Sequence, residues 1–358
     1  MLINKGNNRY ADEIESYFSH TSFSSMGSDF ADINNDGALD LFTLDMSPEK
    51  NYRRKMMMMA QNYDKFEKMT TYNFGTQYSS NALQLNTGTG HFNDIAFINN
   101  LAQTEWSWSS LLADFDNDGL KDIHITNGYE RDVTNNDYSR YKMDELQKKL
   151  NTKEISLMEW VEQIPSTPVS AFLFKNTGNA RFKDMSQSWD SGNPSFSNGA
   201  AYSDLNNDGY LDLVVNNINE VPFVMKNKGK KQLQNNYLTL ELEYKKGNLT
   251  IGTQAKLTLS NGTVLTEYFN PTRGFLSSSQ HKLHFGIKKE LTVKQLEIVW
   301  PDTQVQIIEN PGVNQTLKVK REANKNLNTQ QENALYFKDA SPKLNTSFTH
   351  TELSLIHI

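Results

Sequence analysis

Three acidic loops of one pattern constrain the fold of this chain more than any other feature of its sequence. In each loop an oxygen-bearing side chain occupies positions 1, 3, 5 and 9, and glycine occupies position 6. Glycine permits the sharp reversal that turns alternate side chains toward one centre. The loops are Asp32-Ile33-Asn34-Asn35-Asp36-Gly37-Ala38-Leu39-Asp40, Asp114-Phe115-Asp116-Asn117-Asp118-Gly119-Leu120-Lys121-Asp122 and Asp204-Leu205-Asn206-Asn207-Asp208-Gly209-Tyr210-Leu211-Asp212.

The acidic loops belong to a longer internal repeat. An Asn-x-Gly turn precedes the first residue of each loop by 28 residues, and an aromatic-x-Asp segment follows each turn. A constant offset in repeated copies is hard to produce by chance, so it indicates repeated structural units. The turns begin at Asn4, Asn86 and Asn176, the aromatic-x-Asp segments are Tyr10–Asp12, Phe92–Asp94 and Phe182–Asp184, and a further turn at Asn227 ends the series.

The side chains of the loops suit calcium, which takes six to eight oxygen ligands. Position 7 differs between the loops, so we expect it to contribute a backbone carbonyl. The sequence predicts about three Ca²⁺ sites. Their predicted ligands are Asp32, Asn34, Asp36, Ala38 and Asp40 in the first loop, Asp114, Asp116, Asp118, Leu120 and Asp122 in the second, and Asp204, Asn206, Asp208, Tyr210 and Asp212 in the third.

An EF-hand shares the first six loop positions but requires glutamate at position 12 and helices on both sides. Position 12 is Thr43, Ile125 or Val215 in this chain. The residues after each loop have the apolar and β-branched composition of strands. A loop rich in Asx turns that binds no metal is the alternative interpretation.

Residues 1 to about 230 resemble FG-GAP or VCBS repeats, through the loops and through the segments Phe196–Asp204 and Trp106–Trp108 that precede two of them. The resemblance implies blades of an integrin-α-like β-propeller, each built from four strands. Successive loops lie 82 and 90 residues apart, which is more than one blade requires. We assign the excess to insertions, from Pro48 to about Thr70 and over Tyr138–Ile164, of which the second has helical periodicity.

Residues 236–321 form a different pattern of alternating strands without acidic loops. In their order they resemble the ASPIC/UnbV domain, a small β module that commonly follows FG-GAP repeats. Thr303 stands where that family usually has glycine. The segments that carry the resemblance are Tyr237–Tyr244, Ala255–Leu259, Arg273–Ser279, Leu283–Gly286, Leu296–Asp302 and Val313–Leu317.

The predicted fold class is therefore all-β: calcium-binding β-propeller blades with helical insertions, followed by a small β-sandwich-like ASPIC/UnbV domain. The predicted domains are blades over 1–234, the second domain over 235–321, a linker over 322–333, and a truncated further repeat domain over 334–358. The ends of the chain suggest a fragment of a longer protein, so the absence of a signal peptide says little about location.

Composition excludes several classes of function. The formal net charge of -6 argues against binding a nucleic-acid backbone. The chain has no cysteine, which removes disulfides and thiol chemistry. No apolar run approaches the roughly 18 residues that span a membrane.

No catalytic constellation is evident in the sequence. His281 and His284 are three residues apart, so on a strand they would point to opposite faces. We therefore expect no enzyme but an extracellular or cell-surface binding and adhesion scaffold, with a glycan or protein ligand. The alternatives are a propeller enzyme acting on polysaccharide as lyase or hydrolase, and a passive structural spacer.

Overall fold

The computed structural model describes residues 2–57, 63–72, 74–244 and 250–321. These residues belong to one compact unit that ends at Arg321. The predicted linker over 322–333 and the predicted repeat segment over 334–358 lie outside the described residues. In the described part the protein is mostly β, as predicted.

Sixteen strands precede Asn236 among the described residues. They are β1 (Leu2–Asn4), β2 (Tyr10–Asp12), β3 (Thr21–Ser22), β4 (Ser28–Ala31), β5 (Asp40–Thr43), β6 (Met46–Ser47), β7 (Gln77–Tyr78), β8 (Ala82–Asn86), β9 (Phe92–Asp94), β10 (Glu105–Ala113), β11 (Asp122–Asn127), β12 (Phe172–Asn176), β13 (Phe182–Asp184), β14 (Ser197–Ser203), β15 (Asp212–Asn217) and β16 (Phe223–Met225).

Three antiparallel sheets repeat along this part of the chain. The first has the order β4-β5-β8-β9 and the third is β14-β15-β16. The second has the order β10-β11-β12-β13, and the short strand β6 pairs with β10 on the edge away from β11. Each sheet is a meander whose consecutive strands are neighbours, which is the topology expected of a propeller blade. Strand β10 lies between β4 and β14, so the first strands of the three sheets are adjacent.

Among the described residues, five α-helices lie in the predicted insertions, two between β5 and β8 and three between β11 and β12, and two short ones lie outside them, before β3 and after β16. The helices are α1 (Ile14–Tyr17), α2 (Asn51–Met57), α3 (Tyr63–Thr71), α4 (Asn136–Tyr141), α5 (Met143–Asn151), α6 (Leu157–Glu162) and α7 (Gly229–Gln232), with a 3-10 turn at Phe97–Asn99. Ser156 and Glu159 form a capping box that starts α6. Among the described residues, no helix has the length and apolar character needed to cross a bilayer.

The remaining strands build two further sheets and a short hairpin. They are β17 (Asn236–Glu243), β18 (Gln254–Leu259), β19 (Val264–Tyr268), β20 (Thr272–Arg273), β21 (Ser277–Ser278), β22 (Leu283–Ile287), β23 (Val293–Val299), β24 (Val305–Glu309) and β25 (Gln315–Lys320). One sheet has the order β22-β17-β25, in which β17 and β25 are parallel, and the other is β19-β18-β23-β24.

Apolar side chains fill the spaces between these sheets. One cluster, including Phe42 and Ile123, joins the first and second sheets, and another, including Leu111 and Leu213, joins the second and third. A separate cluster around Trp300 fills the C-terminal part. There β18 buries every second residue, because successive side chains of a strand point to opposite faces.

Candidate metal centre

Each acidic loop joins the first strand of its sheet to the second. The first strand ends one residue before position 1, and the second strand begins at position 9. The loops therefore lie at the same end of adjacent sheets, because β4, β10 and β14 are neighbours.

The aspartate at position 1 organises every loop in the same way. Its Oδ1 accepts the backbone N–H of position 5 and its Oδ2 accepts that of the glycine at position 6. In the second loop these bonds, from Asp118 and Gly119 to Asp114, measure 3.1 and 2.7 Å. The corresponding bonds to Asp32 are 3.0 and 2.8 Å, and those to Asp204 are 3.0 and 2.8 Å.

The aspartate at position 9 ties the loop to the Asn-x-Gly turn of its own sheet. In the second loop Asp122 accepts the N–H of Phe115 through Oδ2 at 3.1 Å and that of Asn176 through Oδ1 at 2.9 Å. Asp40 and Asp212 make the same pair of bonds, to Asn86 and Asn227 respectively. These contacts join each loop to the turn that follows it, 46, 54 and 15 residues later, so they are distinct from the constant 28-residue offset between a turn and the loop of the next sheet.

The side chain of the turn asparagine also reaches the neighbouring sheet. Asn176 Nδ2 donates to the carbonyl of Ile33, at position 2 of the preceding loop, at 2.8 Å. Asn227 Nδ2 donates to the equivalent Phe115 carbonyl at 2.7 Å. The turn therefore connects successive sheets as well as closing its own.

The role of the asparagine at position 4 was not predicted from the sequence. Asn35 Nδ2 donates to the Gly119 carbonyl at 3.0 Å, and Asn117 Nδ2 donates to the Gly209 carbonyl at 2.8 Å. Position 4 has a positive φ in all three loops, which asparagine tolerates. Asparagine occupies position 4 of every loop, and this repetition could have indicated its role, although position 4 is not a predicted metal ligand.

The second loop gathers three carboxylates at one centre. Oxygens of Asp114, Asp116 and Asp122, at positions 1, 3 and 9, lie within 4.8 Å of one another, and all three residues are buried. Such a separation fits oxygens around one Ca²⁺, whose ligand distances are about 2.3–2.6 Å. Positions 3 of the other loops are Asn34 and Asn206, so they do not supply the same carboxylate trio.

A lysine ammonium supplies positive charge at the same cluster. Lys175 Nζ contacts Asp116 Oδ2 and lies 2.9 Å from Asp118 Oδ2. It neutralises part of the charge that a divalent ion would otherwise balance. Lys175 was not predicted as part of the site, because it lies 57 residues after Asp118.

Buried charge makes a bound cation favourable in these loops. Burial raises the pKa of Asp114 and that of Asp40 to about 7, with nearby carboxylates adding to the effect. Burial, reinforced by Asp114, also raises the pKa of Asp122 well above its ordinary value. A bound cation would offset the cost of keeping these groups ionised.

The other predicted ligands form hydrogen bonds within their own loops. At position 5, Asp36, Asp118 and Asp208 each accept the N–H of position 7, which belongs to Ala38, Leu120 or Tyr210. In the first loop Asn34 donates its amide to Asp36. The carbonyl ligand at position 7 and the full ligand sets remain predictions.

Comparison with protein families finds a match in each of two segments of the chain. The FG-GAP-like repeat family matches residues 70–125, which include the second acidic loop. The ASPIC and UnbV family matches residues 244–326. The chain contains an FG-GAP-like repeat and an ASPIC/UnbV domain. A search of the curated proteins finds no significant match.

The ASPIC/UnbV domain covers the second acidic loop of the FG-GAP-like region. Glu267 of this domain forms an ion pair with Lys121. Asn235, which precedes the residues that match the family, donates through Nδ2 to the Asp116 carbonyl at 2.9 Å. His284 Nε2 lies 2.8 Å from Asn117 Oδ1. Burial lowers the pKa of His284 to about 3, so the ring is neutral. Its Nε2–H donates, because the Asn117 amide nitrogen already donates to Gly209.

The β20–β21 hairpin of the ASPIC/UnbV domain crosses the first strands of the three repeated sheets. Gly274 bridges Ser28 on β4, and Phe275 packs on Trp108 of β10 with ring centroids 4.8 Å apart. At its base, Arg273 forms a buried ion pair with Asp29. Ser277 donates its hydroxyl to the Phe275 carbonyl at 2.7 Å.

The asparagine contacts of the FG-GAP-like region lead to a first prediction. Asn117→Ala leaves the Gly209 carbonyl and the His284 ring without their buried partner, so we expect it to lower the free energy of unfolding by about 1–2 kcal/mol more than Asn207→Ala. Asn207 has the same loop position and a φ of 56°, against 57° for Asn117, but it is exposed. Urea unfolding of both variants measures the difference, and equal losses would contradict the cross-loop role.

Proposed function

We propose that this protein is a calcium-stabilised binding and adhesion scaffold of the cell surface or extracellular space. The observation that carries the proposal is the buried trio of Asp114, Asp116 and Asp122 inside a loop pattern that occurs three times. FG-GAP repeats are typical of extracellular proteins. Calcium outside cells is concentrated enough to fill sites of weak affinity.

The burial of the second loop supports a structural rather than a catalytic ion. Asp114 and Asn117 are almost fully buried, and the ASPIC/UnbV domain lies against the loop. An ion held there would neutralise carboxylates and hold the turn, while a substrate would have little access to it. We therefore propose a non-enzymatic role, with a glycan or protein ligand bound elsewhere on the surface and no nucleic acid as partner.

The arrangement of the sheets also supports a division of the chain into two domains. We propose integrin-α-like blades over residues 1–234 and the ASPIC/UnbV domain over 235–321. The three meander sheets with loops at one end support the first part. The change of strand partners between Met225 and Asn236 supports the boundary.

Calcium titration tests the proposal. At a free concentration ten times Kd, Ca²⁺ should raise the free energy of unfolding by about 1.4 kcal/mol for each site that only the folded state offers. Chelation should reverse the gain. Asp116→Asn keeps the side-chain shape but removes one charge, so we expect weaker binding at the second loop by isothermal titration calorimetry.

Asp184→Asn is the matched control, because Asp184 is exposed and lies outside the acidic loops. It should leave calcium stoichiometry and affinity unchanged. The proposed metal role would be refuted if the free energy of unfolding changed with neither calcium nor chelator. It would also be refuted if the Asp116→Asn protein bound calcium like wild type.

A further inference from the structure

The third repeated sheet lacks the fourth strand that closes each of the first two sheets. Its order is β14-β15-β16, whereas the first sheet ends in β9 and the second in β13. After β16 the chain enters α7 and then β17, which belongs to another sheet. Among the described residues, no strand pairs with the edge of β16 away from β15. An open edge presents backbone N–H and C=O groups with which another strand can pair.

The segment that contains β16 is equivalent to β12 in sequence and in register. Residues 172–176 are Phe-Leu-Phe-Lys-Asn, and residues 223–227 are Phe-Val-Met-Lys-Asn. Val224 pairs with Val214 of β15, as Leu173 pairs with His124 of β11. The third sheet therefore follows the second sheet up to the point at which its fourth strand is missing.

The fourth strands of the first two sheets bond to one position of the third strand. The Leu83 N–H donates to Asp94 Oδ1 at 3.0 Å, and the Leu173 N–H donates to Ser186 Oγ at 3.0 Å. In both sheets the carbonyl of the same residue accepts the N–H that follows the aspartate of the fourth strand, at 2.9 and 2.8 Å. Val224 holds the equivalent position, so its N–H and carbonyl face the open edge.

An apolar groove of about 680 Å³ lies beside β16, where the aromatic residue of a fourth strand would pack. In the second sheet Phe182 pairs with Asn176 and packs on the apolar cluster between the first and second sheets. By the same register, the aromatic residue of a strand on β16 would pair with Asn227 and face the cluster between the second and third sheets. Leu173, Trp189, Leu213, Phe223 and Met225 belong to or pack on that cluster, and they line the groove.

The charge of this edge favours a segment that carries a carboxylate. Lys226 and Lys228 follow β16 and are exposed. Two further lysines, Lys230 and Lys231, lie in α7, and residues 221–235 contain no aspartate or glutamate. A surface of one sign attracts a ligand of the opposite sign.

We infer that the edge of β16 and its groove bind an extended Phe-x-Asp segment of a partner protein, which pairs as the fourth strand of the third sheet. The inference rests on the proposed role as a binding scaffold and names the class of its protein ligand. The phenylalanine enters the groove, and the aspartate accepts the Val224 N–H as Asp94 accepts that of Leu83. In strand addition, main-chain bonds supply affinity and alternate side chains supply specificity.

Fluorescence anisotropy with the full chain at saturating calcium tests the assignment. The probe is a labelled peptide with the sequence of residues 90–97, Gly-His-Phe-Asn-Asp-Ile-Ala-Phe, which includes β9. We expect it to bind and to slow hydrogen exchange in β16. Alanine in place of its first phenylalanine should weaken binding at least tenfold, because a buried aromatic side chain is lost. Alanine in place of its aspartate should weaken binding about fivefold, the factor for one hydrogen bond.

Val224→Pro removes the N–H at the open edge, and we expect it to weaken peptide binding at least fivefold. Proline is tolerated on an edge strand where the missing N–H would face solvent, so the bonds to β15 should remain. Val224→Thr is the matched control: it keeps the N–H and the branched shape, and the side chain at this position is 65% exposed. It should bind the peptide like wild type. Urea unfolding checks that both variants fold, and the two altered peptides test the site without changing the protein.

The Phe-x-Asp pattern also occurs at Phe337–Asp339, outside the described residues. Phe337→Ala combined with Asp339→Ala removes it. Peptide binding by this variant and not by wild type would overturn the assignment to a partner protein, because the chain would then supply the strand itself. Binding by neither protein, or binding that the altered peptides and Val224→Pro leave unchanged, also overturns the inference. Calcium stabilisation without peptide binding rejects the segment assignment alone, whereas peptide binding without a calcium response rejects the metal role alone.

Discussion

Arg273→Met is expected to lower the free energy of unfolding by about 3–5 kcal/mol, because it leaves the Asp29 carboxylate buried without its partner. Arg273 Nη1 lies 2.9 and 3.2 Å from the two oxygens of Asp29. The exposed fractions of the two residues are 8% and 2%. The backbone N–H groups of Leu112 and Phe30 also donate to Asp29, so the carboxylate connects β4, β10 and the ASPIC/UnbV hairpin.

The loss in Arg273→Met should grow as pH rises. Burial raises the pKa of Asp29 above 3.8, and Arg273 opposes that effect. Without Arg273 the folded-state pKa rises further, so between 3.8 and that value the folded variant binds more protons than the unfolded chain. The free energy of unfolding therefore falls as pH rises through this window. Near pH 4, where Asp29 can be protonated, the difference from wild type should be smallest.

Urea unfolding at several pH values and fixed calcium measures this effect. Lys318→Met is the matched control, because Lys318 pairs with Glu241 at 3.5 Å on the surface and should cost less than about 1 kcal/mol. Arg273→Met combined with Asp29→Leu removes both charges and should recover most of the loss. If Arg273→Met is as stable as Lys318→Met at every pH, the ion pair between Arg273 and Asp29 is not essential for stability.

The repeated features of this fold were predictable because they are local. Strands, turns and acidic loops follow from short patterns, and the structure places β5, β11 and β15 directly after the loops, as predicted. The helical insertions were also found from spacing and periodicity. The constant 28-residue offset added evidence for repetition, although Asp122 contacts Asn176 of the turn that follows its loop and not the turn 28 residues before it.

The contacts between distant segments were not predictable in the same way. Arg273 and Asp29 are 244 residues apart, and Lys121 and Glu267 are 146 residues apart. Nothing in the local sequence around Arg273 indicates its ion-pair partner. Position 4 of the loops differs from these cases, since its repeated asparagine could have been recognised as a link between sheets.

Gly286→Ala is expected to cost up to about 3 kcal/mol, because the ASPIC/UnbV domain approaches the second acidic loop too closely for a side chain. A Cβ on Gly286 would lie 2.1 Å from Asp114 Oδ2 and 2.3 Å from the Cα of Asn117. The second of these atoms is backbone, so a rotamer change cannot relieve the overlap. Either β22 or the loop must move, and movement of the loop displaces Asp114, the predicted calcium ligand at position 1 of that loop.

The same substitution should therefore weaken calcium binding as well as folding, and its loss of stability relative to wild type should grow as calcium is added, because the variant gains less from the ion. Gly312→Ala is the matched control: its Cβ would meet the end of the flexible Gln315 side chain at 2.9 Å, which can rotate away. Thermal unfolding and calorimetric titration of both variants separate the effects. If Gly286→Ala matches Gly312→Ala in stability and calcium affinity, the ASPIC/UnbV domain does not hold the loop in place. A loss of stability with unchanged calcium affinity would mean that β22 moves instead, and that the position of Asp114 does not depend on the covering domain.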